Sequence, residues 1–125
     1  MTKIREVYYC EICGNLVEVV GESGGTLVCC GQKMSLLAEN TKEASLEKHI
    51  PVAQKEGNRL FVQVGSVPHP MIPEHYIGWI EVLQGNKVQR AELQPGMEPK
   101  AEFLIEDSPY TVRAWCNLHG LWKQV

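Results

Sequence analysis

Cys116 and His119 stand three residues apart in the stretch AWCNLHG. A thiolate and an imidazole at that spacing could serve as metal ligands, as a nucleophile with its base, or as two unrelated side chains. Nucleophilic cysteines usually take their base from a distant part of the chain and orient it with a third group, whereas these two residues share one turn. The other histidines are His49, His69 and His75, and four imidazoles exceed what a Cys–His nucleophile needs. Metal binding is the use that leaves no histidine over.

The remaining cysteines form a second group. Cys10-x-x-Cys13-Gly14 has the spacing of a metal knuckle, in which two thiolates from one tight turn bind one ion. Its partner pair, Cys29-Cys30, is unusual because neighbouring side chains of an extended strand point to opposite faces. Both sulfurs reach one metal only if the chain kinks, with Gly31 assisting, so a distorted tetrahedron is expected. Four thiolates suit iron or zinc, and ligand type alone does not choose between them. A zinc staple without chemistry and a disulfide framework are the plainer uses; the odd count of five cysteines and the lack of a secretion signal weigh against disulfides.

Composition bounds the rest. A chain of 125 residues with 44% hydrophobic and 22% charged residues is ordinary for a soluble protein. A formal net charge of −3 and a pI near 5.8 exclude a generic nucleic-acid binder, which needs clustered Lys and Arg. MTKIREVYYC lacks the apolar run of a secretory signal, and no stretch is long enough to span a membrane, so a cytoplasmic location is expected.

The elements that must position these side chains fall into two parts. Residues 1–37 hold four cysteines and too little apolar sequence for a core, so a metal, disulfides or a partner subunit must stabilise them. There NLVEVV and TLV read as strands of a hairpin that brings the cysteine pairs together. Residues 38–48 read as a linker with at most a helical turn. From His49 to residue 125 seven short strands alternate with turn signals, HIPVAQKE, RLFVQVG, YIGWIEVLQ, KVQRAELQ, KAEFLIE, YTVRAWC and GLWKQV, which suggests an immunoglobulin-like sandwich. The fold class expected is therefore all-β, a small metal-bound N-terminal domain followed by a seven-stranded β-sandwich. One end of that sandwich could gather Cys116 and all four histidines. Pro68, Pro70 and Pro73 stiffen the loop that carries His69 and His75. A copper site is the serious rival, since Cys-x-x-His on a β-sandwich is similar to blue-copper proteins. Met97 or Met71 would then have to serve as axial ligand, and two histidines would be surplus.

The sequence resembles the desulfoferrodoxins, two-iron superoxide reductases. Cys10-x-x-Cys13 with Cys29-Cys30 is similar to a desulforedoxin-type centre, and EKHIP, HPMIPEH and CNLHG resemble the motifs of the catalytic iron domain. The resemblance covers nearly the whole chain in the expected order. It implies two iron ions per chain: one held by Cys10, Cys13, Cys29 and Cys30, the other by His49, His69, His75 and His119 in a plane with Cys116 axial and the opposite position open. It further implies one-electron reduction of superoxide to hydrogen peroxide, an external donor such as rubredoxin, a homodimer, and a role in superoxide detoxification in an anaerobic or microaerophilic microbe. Lys48 would steer the anion and assist proton delivery, and Glu47 would occupy the open position on the ferric ion. Without the motif, Glu47-Lys48 reads as an exposed charge pair of about 0–1 kcal/mol. The contrasting class is a non-catalytic electron carrier, blue-copper-like or a two-iron shuttle.

Overall fold

The computed structural model describes residues 1–125 and is built almost entirely from short strands. It divides into two compact units, Met1–Ala38 and Glu39–Val125.

In the first unit β1 (Val7–Tyr9) is the central strand, flanked by β2 (Leu16–Glu18) and β5 (Ser35–Leu36), both antiparallel to it. β3 (Val28–Cys29) and β4 (Gln32–Lys33) form a separate hairpin. The hairpin expected between NLVEVV and TLV does not form. β2 pairs with β1 instead, and VCCGQK folds back on itself. The reason lies at the tip, where Cys30 and Gly31 both have positive φ, 52° and 76°, as a two-residue primed turn requires. Only Val7, Cys10 and Val19 are buried apolar residues here, while Ile12, Val17, Val20, Val28 and Leu36 are exposed. So small an apolar core leaves the unit dependent on other stabilisation.

The second unit is a sandwich of seven strands. One sheet has the order β10–β7–β6, from β6 (Pro51–Glu56), β7 (Arg59–Val64) and β10 (Lys100–Leu104). The other has the order β12–β11–β8–β9, from β8 (Ile77–Gln84), β9 (Lys87–Glu92), β11 (Thr111–Cys116) and β12 (Gly120–Lys123). This is an immunoglobulin-like partition of strands. Alternation sends Leu60, Val62 and Val64 of β7 inward to meet Ile80 and Val82 of β8, Val112 and Ala114 of β11, and Trp122 of β12. Residues 39–45, expected as linker, belong to this unit: Asn40 donates its backbone N–H to Leu121 O and exchanges side-chain hydrogen bonds with the backbone of Lys123. The first strand also starts later than expected. His49 ends a helical turn, α1 (Leu46–His49), and β6 begins at Pro51; proline's fixed φ favours an extended residue before it, which stops the helix at Ile50.

Strand β8 is buried on both faces. On the outward face Glu81 lies directly opposite Arg113 of β11 and Arg90 of β9. Arg113 donates from Nη2 and Nε to Glu81 Oε1 at 2.7 and 3.1 Å, and Arg90 donates to Oε2 at 2.9 Å. Glu81 is fully buried and Arg113 nearly so. This row fixes the β8–β11 register three residues from Cys116, because a one-residue slip would bring these charges to the wrong face. Glu81→Gln leaves Arg113 buried without its countercharge, so urea denaturation should show a stability loss of about 3 kcal/mol or more.

Candidate metal centres

The four cysteines of the first unit meet at its surface, their sulfur atoms all within 4.8 Å of one another. Cys13 Sγ lies 3.5 Å from Cys29 Sγ, and Cys29 Sγ 4.0 Å from Cys30 Sγ. Sulfurs bound tetrahedrally at about 2.3 Å to one ion stand about 3.8 Å apart, so these edges bracket the value and are uneven. The kink that brings adjacent cysteines to one point is the left-handed conformation of Cys30 itself, followed by Gly31. At the other knuckle Gly14 donates its N–H to Cys10 O at 2.9 Å with φ of 83°. The backbone N–H of Cys13, then that of Ile12, holds the Cys10 thiol down at about 6. The neighbouring sulfurs, Cys13 first, push Cys30 up to about 12. Four thiols this close cannot all ionise unless a cation sits among them, and all five cysteines of the chain are free of disulfides.

In the second unit one end of the sandwich collects the other five residues. His49 comes from the end of α1, His69 and His75 from the loop between β7 and β8, and Cys116 and His119 from the end of β11 and the turn to β12. Cys116 pairs with Gly120 across a three-residue turn and with Ile77 across a β-bulge in the β8–β11 pairing; bulges of this kind re-aim side chains beside functional sites. His49, His75, Cys116 and His119 place their ligand atoms within 4.8 Å of one another. His69 joins them, its Nε2 standing 3.1 Å from His49 Nε2 and 3.5 Å from Cys116 Sγ. The rings follow one another around a square. Successive centroids, His49–His69–His75–His119–His49, are separated by 4.6, 4.5, 5.0 and 4.9 Å with ring planes 79–84° apart, and His49 and His75 face each other across 6.0 Å.

The tautomers show what the square holds. His49 Nδ1–H donates to Ser45 O and His69 Nδ1–H to Pro70 O, each at 2.7 Å. Both Nε2 atoms are therefore bare lone pairs, and they lie 3.1 Å apart with no proton to share. His119 Nδ1 lies 3.1 Å from His49 Nε2, and His75 Nε2 is buried without a hydrogen-bond partner. Imidazole nitrogens bound at right angles to one ion with bonds of about 2.1 Å stand about 3.0 Å apart. The donor set fits a metal ion. Cys116 is fully buried in the core beside these rings, where burial pushes its thiol up while the backbone N–H groups of Leu118 and His119 pull the other way. The methionines that a copper reading would need are engaged elsewhere: Met71 Sδ accepts the Ile77 N–H and Met97 Sδ the Gln94 N–H, each at 3.3 Å.

Glu47 and Lys48 are exposed on α1 and make no hydrogen bond to the five residues. The Glu47 carboxyl is held below its ordinary value first by its own backbone N–H. The Lys48 charge is near enough to contribute to lowering both His49 and His75. Their turn is seated on the 65–67 loop: Val67 N–H and Ser66 Oγ–H donate to Glu47 O at 2.9 and 3.3 Å. Gly65 permits this approach, since a Cβ there would fall 2.5 Å from Glu47 O. Sequence reasoning missed Gly65, and it missed Trp122, whose buried ring lies 4.9 Å from that of His49 and whose Nε1–H donates to His119 O at 3.0 Å. No spacing signal marks either residue.

Burial holds His69 down at about 4 and also lowers His49 and His75 from the usual 6.5. The unfolded chain then binds more protons than the folded one between those two values, so stability falls as pH drops through that window and is complete above it. The metal-free protein should lose urea resistance as the pH drops from about 6.5 to about 4, the window set by His69, with His49 and His75 adding in the same direction.

Comparison with known proteins agrees with both centres. The desulfoferrodoxin family model matches residues 41–125, and the desulfoferrodoxin N-terminal domain model matches residues 2–37. A desulfoferrodoxin homolog of Archaeoglobus fulgidus is 52% identical over 123 residues, 98% of each chain. Among solved structures, the superoxide reductase of Treponema pallidum superposes with a TM-score of 0.76 at 32% identity, covering 97% of this chain and 100% of that one. The one-iron superoxide reductase of Giardia intestinalis superposes with a TM-score of 0.55 at 34% identity over 62% of this chain and 95% of its own. With both family models matched in order and a full-length relative sharing half its residues, the chain belongs to the desulfoferrodoxin family.

Proposed function

We propose that this protein is a superoxide reductase that converts superoxide, one electron and two protons into hydrogen peroxide. The observation that carries the reading is the set of imidazole nitrogens facing one another at about hydrogen-bond distance, with the Cys116 sulfur 3.5 Å from His69 Nε2. His49, His69, His75, His119 and Cys116 would together hold an iron ion. Ferrous iron in that site supplies the electron, and four neutral imidazoles with one thiolate leave it a net positive charge that favours a small anion. Cys10, Cys13, Cys29 and Cys30 would hold the other iron. The domains follow: residues 1–37 for the four-cysteine iron, 38–48 leading into the catalytic motif, and 49–125 for the catalytic iron.

The chain's own groups divide the work. Cys116 would supply a thiolate able to donate electron density to a bound metal. The Nδ1–H bonds of His49 and His69 to backbone carbonyls fix which nitrogen faces the ion. Lys48, exposed beside His49, would draw the anion toward the site and assist proton delivery, and Glu47 on the same turn would serve as a further ligand to the oxidised iron. The electron is returned by an external donor, with rubredoxin the candidate. A homodimer belongs to the same reading; exposed Val17, Val20, Val28 and Leu36 give the first unit apolar surface to cover. A cytoplasmic setting is the compartment proposed.

The test mixes fully reduced protein with a superoxide pulse and follows the thiolate-bound iron optically. One iron should oxidise per superoxide consumed, with peroxide formed and no oxygen evolved; oxygen evolution would make the protein a dismutase instead. Lys48→Ala should slow the reaction and flatten its dependence on ionic strength, and an unchanged rate would remove the steering role.

A further inference from the structure

Two of the four imidazoles are anchored through a ring nitrogen: His49 and His69 donate ring N–H bonds to Ser45 O and Pro70 O. His119 is held through its backbone, in a hairpin turn whose carbonyl accepts the Trp122 N–H. The His75 ring likewise has no hydrogen-bonded anchor of its own. Its Nε2 is buried and without a hydrogen-bond partner, and no hydrogen bond to its other ring nitrogen fixes the tautomer. The direction of that ring has to be set through its backbone.

The backbone on both sides of His75 is gripped by one side chain. Asn117 Oδ1 accepts the N–H of Tyr76 at 2.9 Å, and Asn117 Nδ2 donates to the carbonyl of Glu74 at 3.1 Å. Asn117 also donates its own backbone N–H to Tyr76 O at 3.2 Å. These bonds cross 41 to 43 residues of sequence and join the segment bearing His75 to the turn bearing Cys116 and His119. On the far side His75 exchanges backbone hydrogen bonds with Ile72, 3.0 Å from its N–H and 3.1 Å to its carbonyl, closing a tight loop around Pro73. The amide of Asn117 matches one acceptor to one donor in a fixed plane, which no charged or apolar side chain of that size reproduces.

We infer that Asn117 is the positioning residue for His75, clamping the peptide groups on either side of it so that its imidazole completes the square above Cys116. The inference rests on the iron-site reading above. Asn117 does not touch the ion; it acts through the loop, as outer-shell partners of metal ligands do.

The experiment measures ferrous-ion affinity anaerobically, by competition with a chelator, in a double-mutant cycle on the full chain. Filling of the four-cysteine site, read from its own thiolate absorption, serves as the internal control. Asn117→Ala should weaken the second site about tenfold or more while leaving the first unchanged. In a His75→Ala background the same substitution should add less than about twofold, because the ligand it positions is gone. The spectrum of the oxidised second iron in Asn117→Ala should shift toward that of His75→Ala. An equal loss in both backgrounds, or no loss in either, overturns the clamp and leaves the iron reading standing. Wild-type protein that takes up iron only at the four-cysteine site overturns both. Should Asn117→Ala fail to fold, Asn117→Asp keeps the acceptor for Tyr76 N–H and sets an oxygen against Glu74 O; wild-type affinity in that variant also overturns the inference.

Discussion

Two imidazole lone pairs facing each other at 3.1 Å, with the ring protons of both residues already committed to carbonyls, are the constraint on which the second unit turns. Neutral nitrogens in that arrangement repel, and burial opposes the protonation that would relieve them. A cation between them removes the conflict. It also satisfies the orphaned His75 Nε2 and favours ionisation of a thiol that burial otherwise keeps protonated. The local geometry is therefore unfavourable by itself and becomes favourable only with an ion in place. Such a site has to be held open by the stability of the surrounding fold.

The sandwich provides that stability through rigid elements and short ties. The Glu81–Arg113–Arg90 row fixes β8 against β11 and β9, and a bulge lies beside Cys116, whose sulfur comes within 3.5 Å of His69 Nε2. The loops that carry the ligands are held by hydrogen bonds to backbone groups: Val67 and Ser66 to Glu47, Asn117 to Glu74 and Tyr76, Asn40 to Leu121 and Lys123. Loop residues carry the donor atoms, and the scaffold limits their motion.

The four-cysteine unit solves its positioning problem by local means. With few buried apolar residues it cannot impose geometry through packing, and it uses backbone conformation instead. Gly14 and Gly31 take positive φ, and Cys30 adopts it despite its Cβ, at a conformational cost of the order of 1–2 kcal/mol for a residue other than glycine. The thiols are close enough to perturb one another strongly, so metal binding and the folding of this unit are linked.

The amino-acid sequence by itself determined the donor inventory, the cysteine knuckle and the seven strands, while the meeting of His49, His69, His75, Cys116 and His119 is a tertiary feature. The inventory, knuckle and strands depend on residue type, on alternation and on turn residues, all of which act over a few positions. The pairing of β2 with β1, the helical turn that ends at His49 and the attachment of residues 39–45 to the sandwich were decided by tertiary structure. So were the ring tautomers, the clearance at Gly65, the tilted contact of Trp122 with His49 and the bonds from Asn117 to the loop around His75. Those features join residues far apart in the chain, and no local pattern records which backbone carbonyl a distant side chain will meet.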